Sequence, residues 1–216
     1  MLLFLTLLWA VCFTAAFFFH LFPPEKISYA SDIFQLANGL LTGLCVLSYV
    51  QYGQNKYAVL GTSLAVFSWT MGQLFWLSYT VITGSSLPYP SIGDFGFTGT
   101  YFFLIGVIGV LRTPNRKHPY KYLAFVVLFV PLLLLLFAQS TVQVHLFNFI
   151  LTTAIAITLF KVIPLLKDKC YRYFVLGVFI LAVTDIVFIV STVVIPEMHA
   201  LTSAPLYPIA LCLIAY

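Results

Sequence analysis

The chain has 216 residues, of which 62% are hydrophobic and only 7% are charged, and its formal net charge is +4. A soluble domain carries about a quarter of charged residues, so this composition excludes a water-soluble globule and predicts a surface that faces the lipid bilayer. The small net charge gives no reason to expect a nucleic-acid partner.

Apolar runs divide the chain into candidate membrane spans. Crossing a bilayer takes about 20 mostly apolar helical residues, and breakers such as Pro23, Gly84 and Pro196 separate the runs. We predict an all-α polytopic helix bundle that forms a single domain over residues 1–216. It has seven full transmembrane helices and a shorter eighth: residues 2–22, 32–52, 57–81, 91–111, 122–138, 142–163, 171–194 and 201–216.

The first span is predicted to be a retained helix and not a signal peptide. No basic residue precedes it, and residues 2–22 exceed the apolar core of about 7–15 residues that signal peptides have. The last run ends at Tyr216 without a polar tail. This favours a sequence that is a piece of a longer protein, the alternative being a short or re-entrant last helix.

Basic residues predict the orientation, because cytoplasmic loops of membrane proteins carry an excess of Lys and Arg. Lys26 lies between the first two spans, and the other nine of the ten Lys and Arg residues fall on the opposite side. That side is predicted to be cytoplasmic, so the chain is expected to be a multi-pass protein of the cell membrane with its N-terminus in the cytoplasm. The nine residues are Lys56, Arg112, Arg116, Lys117, Lys121, Lys161, Lys167, Lys169 and Arg172.

Polar side chains follow one helical face in several spans, mainly in the half away from the basic loops. The spacing of three or four residues puts each set on one face. Since none of these groups is stable against acyl chains, the faces predict a polar, aromatic-walled cavity that opens outward. The alternative is a set of interhelical hydrogen bonds that hold the bundle together. The sets are Asp32, Gln35, Asn38 and Thr42; Trp69, Gln73, Trp76 and Thr80; Asp94, Thr98 and Tyr101; and His145, Asn148 and Thr152.

Two carboxyl groups are the strongest single candidates. Asp185 is predicted to lie roughly 15 Å from the outer end of its span, where a carboxyl must be protonated, hydrogen-bonded or paired with a cation. His145 or a cationic ligand are its available positive partners. Asp94 begins the fourth span, where it either contacts a ligand or stabilises the helix N-terminus.

Local signatures of catalysis or cofactor binding are absent from the sequence. It has no HExxH, no GxSxG and no Walker loop, so we expect no cofactor. A metal site built from His20, His145 and Asp94 is a weaker alternative to no metal site. The cysteines are Cys12, Cys45, Cys170 and Cys212; they lack paired ligand spacing and predict neither a disulfide framework nor a zinc site.

The stretch SWTMGQLFWLSYTVITGSSLPYPSIGDFGFTGTYFFLIGVIGVLR carries a further pattern. Its W-x3-Q-x2-W stripe and P-x-PS-x2-D loop resemble a multi-helix membrane region at the N-terminus of many bacterial diguanylate cyclases and some histidine kinases. Asp185 resembles that family's intramembrane ADxxY helix, with Phe188 in place of Tyr. The last helix lacks the Asp and Trp that the family usually carries there.

The resemblance implies a sensory module. It would bind an unidentified small ligand in an outward-facing pocket and signal to a cytoplasmic effector domain or protein. No GGDEF segment or kinase core is present, so no enzymatic activity is expected of this chain. The candidate ligand-binding residues are Asp94, Asp185, Gln73, Trp69, Trp76, His145, Asp32 and Asn38.

Two other functions stay open at this stage. A small transporter or transporter subunit would use Asp185 as a proton or cation site near the bilayer midplane. An intramembrane lipid hydrolase would use Asp94, Asp185 and His145.

Overall fold

The computed structural model describes residues 2–18, 27–51, 55–85, 88–111, 142–194 and 206–215. Within these ranges every regular element is helical. The seven α-helices described are α1 (Leu2–Phe18), α2 (Ile27–Ser48), α3 (Lys56–Thr83), α4 (Ile92–Leu111), α5 (Val142–Val162), α6 (Arg172–Val194) and α7 (Leu206–Ala215). Two short 3-10 helices, Ile163–Lys167 and Lys169–Tyr171, join α5 to α6.

The prediction of an all-helical membrane bundle is confirmed. Five helices, α2 to α6, are long and apolar enough to cross a bilayer. As described, α1 and α7 have 17 and 10 residues, which is shorter than a span. The predicted span 122–138 lies outside the described residues, as do residues 19–22 and 201–205, so the count of seven full spans stays a prediction.

Helix ends follow local chemistry. Asn55 caps α3, since its side chain accepts the Ala58 N–H at 3.3 Å. Gly84 ends the same helix with a φ of 66°, a left-handed conformation that glycine adopts without a steric penalty. Pro164, which lacks an N–H, lies at the start of the 3-10 helix that follows α5. In contrast, α2 begins at Ile27, five residues before its predicted start at Asp32.

The described helices form a closed ring. Around it α2 contacts α3, α3 contacts α4, α4 contacts α5, and α5 contacts α6. The short α7 closes the ring because it contacts both α6 and α2, and it also reaches α3. Helix α1 lies against α2 and α7. Side chains from α3 to α7 can therefore meet at the centre.

The backbones of α3 and α4 approach each other at glycines. A Cβ on Gly96 would lie 2.6 Å from the backbone nitrogen of Gly72, and a Cβ on Gly72 would lie 2.6 Å from the carbonyl oxygen of Gly93. Ser68 Oγ donates to the Gly96 carbonyl at 2.9 Å across the same contact. Small residues allow this approach between membrane helices. It brings the inner faces of α3 and α4 together.

Charge and apolar surface are arranged as a bilayer requires. The described basic residues lie at one end of the bundle, where α3 begins, α5 ends and α6 begins: Lys56, Lys161, Lys167, Lys169 and Arg172. We call it the basic end. Large apolar side chains are exposed on the flanks, among them Leu44, Phe102, Phe149 and Leu176. Such flanks are compatible with contact to lipid.

Candidate functional site

The carboxyl group of Asp185 lies at the centre of the ring. It is buried on α6 and accepts a hydrogen bond at each oxygen. Tyr207 of α7 donates to Oδ1 at 2.6 Å, and Tyr101 of α4 donates to Oδ2. Three helices are joined at one side chain. Because an unmade bond to a buried carboxyl is costly, this arrangement holds α4 and α7 in a defined position around α6.

Tyr89 reaches the same region from the connection between α3 and α4. Its hydroxyl donates to Oδ1 of Asn148 on α5, and its ring meets Phe147 and Phe188 edge-on, with centroids 5.6 and 6.0 Å away. Burial raises the pKa of the Tyr89 phenol, and the carboxyl groups of Asp94 and Asp185 raise it further. Tyr89 therefore lies close to both acids.

Two buried donors have no acceptor within the described part of the chain. They are the indole nitrogen of Trp69 and the amide nitrogen of Asn148, each in a side chain that is 1% exposed. The Trp69 ring lies against Phe97 and Tyr207, with centroids 5.6 and 5.2 Å away. A buried donor without a partner costs roughly 1–3 kcal/mol. A bound molecule with acceptor atoms would remove that cost.

These contacts define a central cluster of six residues: Trp69, Tyr89, Tyr101, Asn148, Asp185 and Tyr207. Of these, Trp69 and Asp185 were predicted ligand residues, and Tyr101 and Asn148 lay on predicted polar faces. Tyr89 and Tyr207 were missed. The available signal was weak: a tyrosine between two prolines, and a tyrosine in an otherwise apolar run.

Asp94 acts at the start of α4. Its Oδ2 accepts both the backbone N–H of Ser91 at 2.6 Å and the Ser91 hydroxyl at 2.8 Å. A carboxylate three residues inside a helix that bonds the cap residue is one half of a capping box. The structure thus shows the helix-end contact of Asp94. Its proximity to Tyr89 also places this carboxyl beside the central cluster.

Polar residues of α2 make bonds between helices. Gln73 donates to Oδ1 of Asp32 at 3.1 Å, which links α3 to α2. Asn38 donates to the Pro208 carbonyl at 3.3 Å and to Cys212 Sγ at 3.6 Å, which links α2 to α7. For Asp32, Gln73 and Asn38, the observed contacts are those of the interhelical alternative.

The remaining predicted ligand residues, Trp76 and His145, are half-buried and lie outside the central cluster. Trp76 is half-buried, and its ring meets Phe188 at 6.4 Å. His145 is half-buried on α5, one turn before Asn148.

In the ranges that the structure describes, no three His, Cys, Asp or Glu side chains gather as a metal site. His20 lies outside those ranges. All four cysteines are thiols, with Cys45 and Cys212 buried and Cys12 and Cys170 exposed.

Comparisons with protein families, with curated proteins and with solved structures find no match to this chain. The residues of the central cluster are therefore the basis on which a function is inferred for this chain.

Proposed function

We propose that this chain is the signal-input part of a membrane receptor, which binds a small ligand at the central cluster. The observation that supports this most is the environment of Asp185. Its carboxyl joins α4, α6 and α7, while the donors of Trp69 and Asn148 in the same cluster have no acceptor among the described residues. Buried polar groups in a membrane protein are costly, and they commonly mark a functional site.

Helix α7 is the output element in this proposal. Tyr207 ties its first turn to Asp185, and the carbonyl of the next residue, Pro208, accepts from Asn38. A ligand that engages Asp185 competes with Tyr207, so binding changes how α7 is held. The resemblance to membrane regions that precede cyclase and kinase domains would place a cytoplasmic effector domain or protein after this helix.

The test uses the full chain in detergent, with thermal unfolding measured against a library of charged and neutral metabolites. Any stabilising compound is then added to a Cys12→Ser, Cys45→Ala, Cys170→Ser variant, in which buried Cys212 of α7 is the remaining thiol. The proposal expects the compound to change the rate at which N-ethylmaleimide labels Cys212. It is overturned if no compound stabilises the chain, or if the stabilising compound leaves that rate unchanged.

The proposal includes the topology: a cell-membrane protein with seven full spans, whose basic end is cytoplasmic. Excess Lys and Arg on that end support this orientation. Cys170 is exposed beside Lys169 and is a native probe of that end. With the other cysteines replaced, a membrane-impermeant maleimide should label Cys170 only after the cells are permeabilised. Equal labelling of intact cells would reverse the orientation.

A small cation or proton transporter is the second candidate. The position of Asp185 favours it, because a buried carboxyl between three helices is a suitable ion-binding group. Proteoliposomes distinguish the two functions. Substrate accumulation driven by an ion gradient, and lost in Asp185→Asn, would support the transporter and count against the receptor.

A further inference from the structure

The central cluster and the neighbouring Asp94 together combine two carboxyl groups with aromatic rings, and their charge points to a class of ligand. Asp94 and Asp185 both lie close enough to Tyr89 to interact with its hydroxyl, and Asp94 also interacts with Tyr207. Carboxylates that are buried without a positive partner are expensive. A positively charged ligand would remove this cost, whereas an anion would add to it.

Basic side chains of the described helices lie far from these carboxyls. Arg172 lies thirteen positions from Asp185 along α6, and Lys161 lies thirteen positions from Asn148 along α5. Each interval is about 20 Å of helix. The titratable groups that face the cluster from the described elements are Asp94, Asp185, Tyr89, Tyr101 and Tyr207, with His145 one turn from Asn148.

Aromatic rings surround the same position. Trp69 lies against Tyr207 and Phe97, and Tyr89 lies against Phe147 and Phe188. Ring faces attract organic cations, and the attraction is stronger where water is excluded. Rings and carboxyls together favour an ammonium group over a strongly hydrated metal ion.

The unpartnered donors add a second requirement. The Trp69 ring, which carries one of these donors, lies 5.2 Å from the Tyr207 ring. The Asn148 nitrogen, which has no acceptor among the described residues, belongs to the amide whose oxygen accepts from Tyr89. Both donors belong to side chains that are 1% exposed. A ligand that satisfies these donors must carry an acceptor oxygen as well as the cationic group.

We infer that the central cluster binds a small organic ammonium compound that carries a hydroxyl or carbonyl oxygen. Its ammonium group lies among the rings beside Asp185, and its oxygen accepts from Trp69 or Asn148. This inference rests on the proposed function and names the ligand class of the same site. The ammonium compound is either free in solution or the headgroup of a lipid.

Choline is the probe, and the full chain is held in nanodiscs of phosphatidylglycerol, which has no ammonium group. We expect a saturable rise in the unfolding temperature with choline. The neutral isostere, in which a quaternary carbon replaces the nitrogen, should bind at least about tenfold more weakly. This comparison uses the native chain, so it does not depend on a variant that folds. Equal stabilisation by choline and its isostere, or by neither, overturns the inference.

Variants then test which residue binds the ammonium group of the ligand and which binds its oxygen. Asp185→Asn should weaken choline at least about tenfold, whereas Asp168→Asn, the same change at an exposed acid of the basic end, should not. Trp69→Phe keeps an aromatic ring at this position and removes the N–H, so it should weaken choline binding but leave the binding of tetramethylammonium, which has no oxygen, unchanged. Unaltered choline binding in both Asp185→Asn and Trp69→Phe would show that choline does not bind at the central cluster and would overturn the inference.

Nanodiscs of phosphatidylcholine distinguish the source of the ammonium group. Where free choline binds, additional stabilisation by this lipid without added choline, lost in Asp185→Asn, supports a headgroup ligand. Stabilisation by free choline alone supports a soluble one. If a neutral or anionic compound stabilises the chain and alters Cys212 labelling while choline does not, the inference fails and the receptor proposal stands. If no compound of any charge binds, both fail.

Discussion

The central cluster and the neighbouring apolar layer occupy the same helices but are held together differently. The apolar layer consists of Leu104, Ile108, Ile155, Val175 and Val178, all fully buried. On α4, Tyr101 of the cluster and Leu104 of the layer are one helical turn apart. On α6 the apolar run from Val175 leads to Asp185 within three turns. Burial alone does not distinguish the two regions, because five of the six cluster side chains are buried as well and only Tyr89 is half-buried.

What differs is the directionality of the contacts. Apolar side chains in the layer gain dispersion contacts that tolerate changes of shape. The cluster depends on hydrogen bonds whose partners belong to different helices, such as Tyr207 and Asp185. When helices pack inside a bilayer, their apolar side chains leave lipid and not water, so the hydrophobic effect does not drive the packing. The layer therefore stabilises the bundle by close packing, while the cluster fixes the relative positions of α4, α6 and α7.

The largest effect is expected at the glycine contact that positions the cluster. Gly96→Leu places a side chain against the backbone of Gly72, which no rotamer can avoid, and should cost about 3 kcal/mol of unfolding free energy. Gly109→Leu is the matched control on the same helix, because a Cβ at Gly109 meets nothing within 4 Å. Unfolding by SDS titration measures both variants. Equal stability would show that the α3–α4 approach does not constrain the bundle.

Leu104→Ala tests the layer alone. We expect a loss of about 2 kcal/mol, at the low end for a buried leucine, because only packing contacts are lost in a lipid environment. Choline binding should stay within a factor of about two, since the cluster keeps its hydrogen bonds. The measurement pairs SDS unfolding with a choline titration. A choline affinity that falls as far as in Asp185→Asn would show that layer and cluster act as one unit.

Most of the fold could be predicted because the bilayer restricts the choices. A span must bond all of its backbone groups internally and needs about 20 apolar residues, so hydropathy located α2 to α6. Helix ends were predicted where the signal is local, as at Gly84. The start of α2 was missed because Asp32, which looked like a boundary residue, is accommodated inside the helix by Gln73.

The site was harder to predict because its geometry depends on tertiary contacts. The polar spacing identified Trp69 and the face of Tyr101, and the depth of Asp185 within its span identified that carboxyl group. Nothing local indicates that α7 closes the ring, so the bond between Tyr207 and Asp185 had no sequence signal. The resemblance highlighted the loop around Tyr89 without indicating that its ring turns inward to Phe188.

Tyr207→Phe tests whether the cluster holds α7. The change removes one donor to Asp185 and keeps the ring, so we expect a cost of about 1 kcal/mol. If Cys212 reacts through local release of α7, its labelling by N-ethylmaleimide should rise about fivefold. Tyr101→Phe removes the bond from α4 and should raise it less. Tyr57→Phe at an exposed position is the control. Equal labelling of Cys212 in all three variants would show that the hydrogen bonds of the cluster do not hold α7 in place.

Asp94→Ala is expected to have the smallest effect on stability and tests whether the edge of the cluster is structural or functional. Loss of the two bonds to Ser91 should cost about 0.5 kcal/mol, the low end of the range for a helix cap. Asp94→Asn keeps an oxygen that can accept the Ser91 N–H, so most of this stability should return. Choline affinity provides the second measurement. If Asp94 contributes charge to the site, both variants should weaken choline equally, although only Asp94→Ala loses the cap. If Asp94→Asn binds choline as the native chain does, the negative charge of the site belongs to Asp185 alone, and the helix-end contact is the whole role of Asp94.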